Sequence, residues 1–310
     1  MSLALVFPGQ GAQSIGMGQD LARAYPAARA VFEEVDDALG EPLSALIWSG
    51  DIETLTLTAN AQPALMATSI AALRALEAEG FELGRAAFVA GHSLGEYSAL
   101  AAAGALELGD TARLLRLRGA AMQDAVAVGE GAMAALLGLD FDTARQVADA
   151  AAQGQVCQAA NDNDPGQVVV SGHKEAVERA VLIAKERGAK RAMLLPVSAP
   201  FHCSLMAPAA EAMNAALADV ALKAPSVPLV ANVTAAPVTA PERIRALLVE
   251  QVTGSVRWRE SVAFMVSEGV DTFWEIGAGK ALSGMIRRIE KSAGLRTVGT
   301  SADVSAALAP

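Results

Sequence analysis

Short apolar runs alternate with stretches of helical periodicity along most of the chain. Leu3 to Phe7 is an unbroken apolar run cut off at once by Pro8-Gly9-Gln10-Gly11-Ala12-Gln13, which predicts a buried first strand ending in a glycine-rich loop. Helical periodicity follows from about Asp20 to Leu39 and again from Pro63 to Glu79, where Leu65, Ile70, Leu73 and Leu76 repeat at helical spacing. Ala86 to Ala90 predicts a second buried strand, Glu96 to Leu106 a helix, and Thr111 to Val126 a helix that opens after Gly109-Asp110.

From Gly131 the texture changes. Strands are expected over Ala132 to Gly138, Gln155 to Ala160, Gln167 to Ser171 and Lys190 to Pro196, with helices over Phe141 to Ala152 and His173 to Gly188. That order, βαββαβ, is the ferredoxin-like unit, complete within about seventy residues, and it predicts an inserted small subdomain over 129–197. Asn161-Asp162-Asn163-Asp164-Pro165-Gly166 is read as the polar turn between its middle strands; its acidic pair lacks the spacing of a calcium loop. Beyond the insert, Cys203 to Val220 continues as helix. Then come a strand over Val227 to Ala231, helices over Pro241 to Gln251 and Trp258 to Glu268, a strand over Val270 to Glu275, a helix over Lys280 to Glu290 and a strand over Arg296 to Val298. Strands alternating with helices predict a parallel sheet covered on both faces, so the fold class is α/β, with a discontinuous large subdomain over 1–128 and 198–310.

Composition narrows the functional classes. A hydrophobic share of 53% with 19% charged residues in 310 residues provides for a substantial core. No window offers about 18 strongly apolar residues and no basic segment precedes Leu3, so a cytoplasmic protein with no membrane association is expected. The net charge of -10 argues against a nucleic-acid partner. The two cysteines, Cys157 and Cys203, lack metal or disulfide spacing and are read as core thiols.

The strongest chemical signal is Gly91-His92-Ser93-Leu94-Gly95 between a predicted strand and a predicted helix. A sharp strand-to-helix turn pushes such a serine outward and aims the next backbone N–H at an incoming carbonyl oxygen, which is the context of a nucleophile elbow. Without that chemistry the segment is a Gly-Ser turn. Arg118 has Leu114 and Leu115 at i−4 and i−3 and Met122 at i+4, so it projects from the apolar stripe of its helix. A guanidinium buried there needs an anion, from the protein or from a ligand. Among the three histidines, His92 abuts the serine and is expected to point away, His173 is expected at a solvated helix start, and His202, in a proline-punctuated loop after the insert, is the best candidate base. The basic clusters Lys185, Arg187, Lys190, Arg191 and Lys280, Arg287, Arg288, Lys291 are either solvated helix faces or a patch for an acidic partner.

Several segments coincide: Phe7-Pro8-Gly9-Gln10-Gly11, Gln62-Pro63-Ala64, Gly91-His92-Ser93-Leu94-Gly95-Glu96-Tyr97, Arg118-Gly119, Phe201-His202-Cys203, Asn232-Val233 and Glu275-Ile276-Gly277. In this order, and over nearly the full length, the chain resembles the malonyl-CoA:acyl carrier protein transacylases of fatty acid synthesis. The resemblance implies a large subdomain like the α/β-hydrolase core, the ferredoxin-like insert, and an active site between them. It further implies Ser93 as nucleophile, His202 as general base, and Arg118 as the group that holds the malonyl carboxylate. The backbone N–H groups of Gln10 and Leu94 would form the oxyanion hole, and a carbonyl of Gln251 would orient the histidine. The implied partners are malonyl-CoA and an acidic acyl carrier protein, for which Lys190, Arg191, Arg287 and Arg288 are candidate contacts. A monomer is expected, with no metal and no cofactor.

Two positions depart from the family pattern. Phe201 stands where some relatives have serine, and its bulk favours malonyl over methylmalonyl; Ala278 replaces a common proline, and nothing in the sequence explains it. Two other readings stay open: a hydrolase using the same elbow, and an inactive scaffold that binds carrier proteins.

Overall fold

The computed structural model describes residues 2–197 and 199–308; Ser198, where the sequence reading resumes the large subdomain, lies outside them. The first half of the chain forms β1 (Leu3–Phe7), α1 (Gln19–Ala24), α2 (Pro26–Leu39), α3 (Leu43–Ser49), α4 (Ile52–Thr56), α5 (Thr58–Ala78), β2 (Ala86–Gly91), α6 (Gly95–Ala102) and α7 (Leu108–Asp124). The insert forms β3 (Gly131–Leu137), α8 (Phe141–Ala152), β4 (Cys157–Asp164), β5 (Gln167–His173), α9 (Lys174–Glu186) and β6 (Arg191–Leu194). The last third forms α10 (Ala207–Ala218), β7 (Leu229–Ala231), β8 (Ala236–Val238), α11 (Pro241–Thr253), α12 (Trp258–Ser267), β9 (Thr272–Ile276), α13 (Ala281–Ile289), β10 (Gly294–Val298) and α14 (Ser301–Leu308).

Two sheets result. The larger runs β10-β9-β1-β2-β7-β8, parallel except for the final β7–β8 pair. Along β1 the side chains alternate between its faces. Leu3, Leu5 and Phe7 join the core built with α2, α5, α6 and α7, while Ala4 and Val6 join a second core with Trp258, Val262 and Met265 of α12 and Ile286 of α13. The smaller sheet runs β4-β5-β3-β6, antiparallel throughout, with α8 and α9 packed on one core of its own. This is the ferredoxin-like order predicted for the insert. No helix among the described residues is long and apolar enough to cross a membrane.

Several local expectations are corrected. The helical periodicity from Asp20 to Leu39 is divided between two helices, because Pro26 starts α2 and the preceding Tyr25 is extended at φ -125, ψ 115. The helix expected from Pro63 begins at Thr58 and carries Pro63 inside; α5 is buried along most of its length, and packing overrides the proline's preference for a first turn. The helix expected from Cys203 begins as a single 3-10 turn over Ser204–Met206 and becomes α-helical only at Ala207. His173 is half-buried, and its Nδ1 accepts the Val156 N–H at 2.9 Å.

The largest correction concerns Asn161 to Asp164, expected as a polar turn. These four residues are the buried end of β4, and only Pro165-Gly166 turns. Their strand is extended towards the large subdomain: Asp162 N–H donates to the Val256 carbonyl and Val256 N–H to the Ala160 carbonyl, both at 2.9 Å. Asp162 forms an ion pair with Arg259 of α12 at 2.8 Å, and Asp164 one with Arg288 of α13 at 2.6 Å. Acidic residues occupy a strand here because the neighbouring subdomain supplies the countercharges.

Candidate active site

The GHSLG segment is the turn between β2 and α6. Ser93 sits in the left-handed region at φ 53. The turn is so tight that a Cβ on Gly91 would lie 2.0 Å from the Gly95 carbonyl carbon, and one on Gly95 would lie 2.2 Å from the Phe7 carbonyl oxygen. Both glycines are therefore steric requirements of the elbow. Asn232, just after β7, straps it: its Oδ1 accepts the Ser93 N–H at 2.8 Å and its Nδ2 donates to the Gly91 carbonyl at 2.7 Å.

Ser93 Oγ lies 2.8 Å from His202 Nε2. His202 is also in the left-handed region, at φ 58, so both members of the pair stand on strained backbone held by their surroundings. On its other side, His202 Nδ1 meets the backbone carbonyl of Gln251 at 2.9 Å. A carbonyl can only accept, so Nδ1 carries the proton and Nε2 is free to accept from the serine hydroxyl. Burial and the nearby Arg118 charge push the imidazole down to about 3, although its bond to the Gln251 carbonyl pulls it upward. The ring is thus neutral, with Nε2 unprotonated, across the ordinary pH range.

Arg118, on α7, is 1% exposed. Nη1 donates to Gln62 Oε1 at 2.8 Å, and Nη2 to Gln251 Oε1 at 2.8 Å and to Ser93 Oγ at 3.1 Å. The guanidinium lies over the Tyr97 ring, 5.6 Å from its centre, and its buried Nε has no partner among the described residues. No carboxylate among the described residues forms an ion pair with it, which leaves the anion requirement of a buried guanidinium unmet by direct contact. Amide oxygens of Gln62 and Gln251 thus surround the cation, which stands beside the serine hydroxyl.

Six sequence-predicted residues, Gln10, Ser93, Leu94, Arg118, Phe201 and His202, line one cleft of about 440 Å³ between the two sheets. Gln251 lies just behind it, fully buried. The N–H groups of Gln10 and Leu94 donate to no described residue, so both remain available beside the nucleophile. His92, for which the tight turn predicts a side chain pointing away from Ser93, lines the same cleft, and its Nε2 is held by Asn163 Oδ1 of β4 at 2.9 Å. Among the described residues, no group of three or more His, Cys, Asp or Glu is arranged to hold a metal ion.

The basic candidates divide. Lys190 and Arg191 are exposed at the start of β6, whose neighbour β3 supplies Met133 and Ala135 to the cleft wall. Arg287 is exposed on α13 and donates to the Lys291 carbonyl at 3.0 Å. Arg288 is committed to Asp164, so part of its charge serves the seam between subdomains.

Nothing local in the sequence marks a role for Gln62, Glu96, Asn163, Asn232 or the side-chain amide of Gln251. Gln62, Glu96 and Asn232 all stand inside segments that carried the family resemblance, which was the available signal. Their partners are distant in sequence, and only the fold joins them.

A family model described as acyl transferase domain matches residues 4–305. A malonyl CoA-acyl carrier protein transacylase of Bacillus subtilis (strain 168) is 48% identical over 300 residues, covering 96% of this chain and 93% of that protein. An acyl-carrier-protein-S-malonyltransferase from Bartonella henselae superposes with a TM-score of 0.97 at 58% identity, covering 99% of this chain and 98% of that one. A malonyl-transacylase solved in complex with its type II PKS acyl-carrier protein superposes with a TM-score of 0.96 at 43% identity, covering 99% of each chain. With matches of this length and identity, and a serine, a histidine and a buried arginine meeting in one cleft, the chain belongs to the malonyl-CoA:acyl carrier protein transacylases of the acyl transferase domain family.

Proposed function

We propose that this chain moves a malonyl group from malonyl-CoA to the pantetheine thiol of an acyl carrier protein by a ping-pong route through a malonyl ester on Ser93. The observation that carries this reading is the 3.1 Å contact between Ser93 Oγ and the buried Arg118 Nη2. A cation that close to the nucleophile selects an acyl group bearing its own negative charge.

In the first half-reaction His202 Nε2 takes the Ser93 proton as Oγ attacks the thioester carbon. The N–H groups of Gln10 and Leu94 receive the developing oxyanion, a role in which one donor is typically worth about 3 kcal/mol. The C–S bond then breaks, the proton on Nε2 passes to the departing sulfur, and free coenzyme A leaves a malonyl ester. The second half reverses these steps: the carrier's thiol gives its proton to His202, sulfur attacks the ester, and Ser93 recovers its hydrogen. Thioester replaces thioester, so a dyad suffices and the Gln251 carbonyl has only to hold the imidazole. Arg118 holds the malonyl carboxylate by two hydrogen bonds throughout. Phe201, 8% exposed in the cleft wall, narrows the space for a branched acyl chain. Lys190, Arg191 and Arg287, with Arg288 in part, offer positive charge to the acidic carrier.

The test is intact-protein mass spectrometry after mixing with malonyl-CoA. A lasting adduct of malonyl mass, absent in Ser93→Ala and discharged by holo-carrier protein, is expected. Release of free malonate without an adduct means hydrolysis and overturns the proposal.

A further inference from the structure

Gln251 can make its contacts in only one orientation of its side-chain amide. Oε1 accepts from Arg118 Nη2 at 2.8 Å, while Nε2 donates to the Ser93 carbonyl at 3.0 Å. Rotating the amide by 180° would set NH₂ against guanidinium N–H and oxygen against the serine carbonyl, opposing donor to donor and acceptor to acceptor. The Ser93 carbonyl alone is a weak arbiter between the two orientations. The stronger one is Glu96 Oε2, 2.8 Å from Gln251 Nε2 and 3.1 Å from the Asn232 backbone N–H. Glu96 is 1% exposed, sits in the first turn of α6 three residues after the nucleophile, and forms no ion pair with any described residue. Its charge and that of Arg118 are linked through one amide, Glu96 to Gln251 to Arg118.

We infer that Glu96 is a positioning residue: its buried carboxylate fixes the amide orientation of Gln251 and, through it, the pose of Arg118 that receives the substrate carboxylate. This inference rests on the proposed malonyl transfer. Glu96 touches neither Ser93 Oγ nor the substrate position, so it acts entirely through Gln251 and Asn232. Glu96 and Arg118 also balance each other's charge in the free enzyme, through an amide dipole instead of a direct pair that would neutralise the guanidinium and shut out the malonyl carboxylate.

The charged or titratable groups facing Glu96 are Arg118 from α7 and Tyr97 on its own helix; α11 and the segment after β7 present the neutral Gln251 and Asn232. Burial raises Glu96 to about 7, against the bonds from Gln251 and Asn232 and the Arg118 charge. Protonation cancels the charge that makes Glu96 the strong acceptor for Gln251 Nε2, and its new O–H competes as a donor. Malonyl transfer therefore falls as pH drops through that value, while His202, at about 3, is still an unprotonated base.

The experiment compares acylation of the full chain by malonyl-CoA and by acetyl-CoA in single turnovers, for wild type, Glu96→Gln and Glu96→Leu, over about one pH unit either side of neutrality. Glu96→Leu is expected to lower the malonyl-to-acetyl ratio by about tenfold or more, through weaker malonyl-CoA binding. Glu96→Gln, which keeps an acceptor but cannot titrate, should lose less of that ratio and show a flat pH profile where wild type slopes. An unchanged ratio in Glu96→Leu, or an acid-side slope that persists in Glu96→Gln, overturns the inference. Should the leucine variant not fold, the glutamine profile decides alone. If wild type itself forms no malonyl adduct, the proposed function fails first, and that outcome is distinct from either variant result.

Discussion

Asn232 holds Ser93 by its backbone: Oδ1 takes the serine N–H at 2.8 Å, and Nδ2 reaches the Gly91 carbonyl at 2.7 Å on the far side of the turn. The strap spans more than a hundred residues of sequence. It fixes a conformation, φ 53, that a serine adopts only at a cost of about 1–3 kcal/mol. Asn232→Ala is accordingly expected to slow acylation of Ser93 by roughly ten- to a hundredfold, with little change in malonyl-CoA affinity. Stopped-flow release of coenzyme A in a single turnover measures this directly, and a wild-type rate would show that the elbow holds itself.

Removing the cation should change which acyl group is accepted. Arg118→Ala is expected to lose about 3 kcal/mol of malonyl transition-state stabilisation, roughly a hundredfold, while transfer of uncharged acetyl rises relative to malonyl. Arg118→Lys is not expected to restore malonyl transfer, because a single ammonium cannot serve Gln62, Gln251 and a carboxylate from one plane. If the alanine variant still preferred malonyl-CoA over acetyl-CoA, the carboxylate role would be lost.

His202 ties stability to pH. Its folded value is about 3 against an ordinary 6.5, so between those limits the unfolded chain binds a proton that the folded chain refuses. Its contribution is therefore fully present above pH 6.5 and is lost as pH falls. From about pH 7 to about pH 5 the loss attributable to this one residue is about 2 kcal/mol. Urea denaturation of wild type and His202→Asn at both pH values should show the variant losing about that much less on acidification. Equal losses would mean that the ring is hydrated when the protein is folded.

The seam between subdomains should be measurable in the same way. Asp162 is 1% exposed and meets Arg259 through both carboxylate oxygens, with the guanidinium about one-third exposed. Asp162→Ala leaves Arg259 able to rehydrate, so the expected cost is about 1–3 kcal/mol, below that of orphaning a fully buried charge. A midpoint unchanged within error in urea would show that the backbone bonds to Val256 hold the seam unaided.

What the sequence determined by itself was everything encoded over short range. Apolar runs and helical periodicity located most strands and helices and the βαββαβ order of the insert. The flanks of Gly91–Gly95 marked the elbow, and the apolar neighbours of Arg118 one turn away on its helix were enough to bury it. Proximity across the chain was not encoded in this way. Asn161 to Asp164 read as a turn because their local chemistry is that of a turn; they form a strand because they pair with β5 while Val256, Arg259 and Arg288 arrive from another part of the chain to meet their remaining bonds and charges. Glu96, Asn232 and the Gln251 amide likewise carried no local sign of their contacts. Burying polar groups is costly unless each finds a partner, and for these residues the partners are assembled only by the tertiary fold.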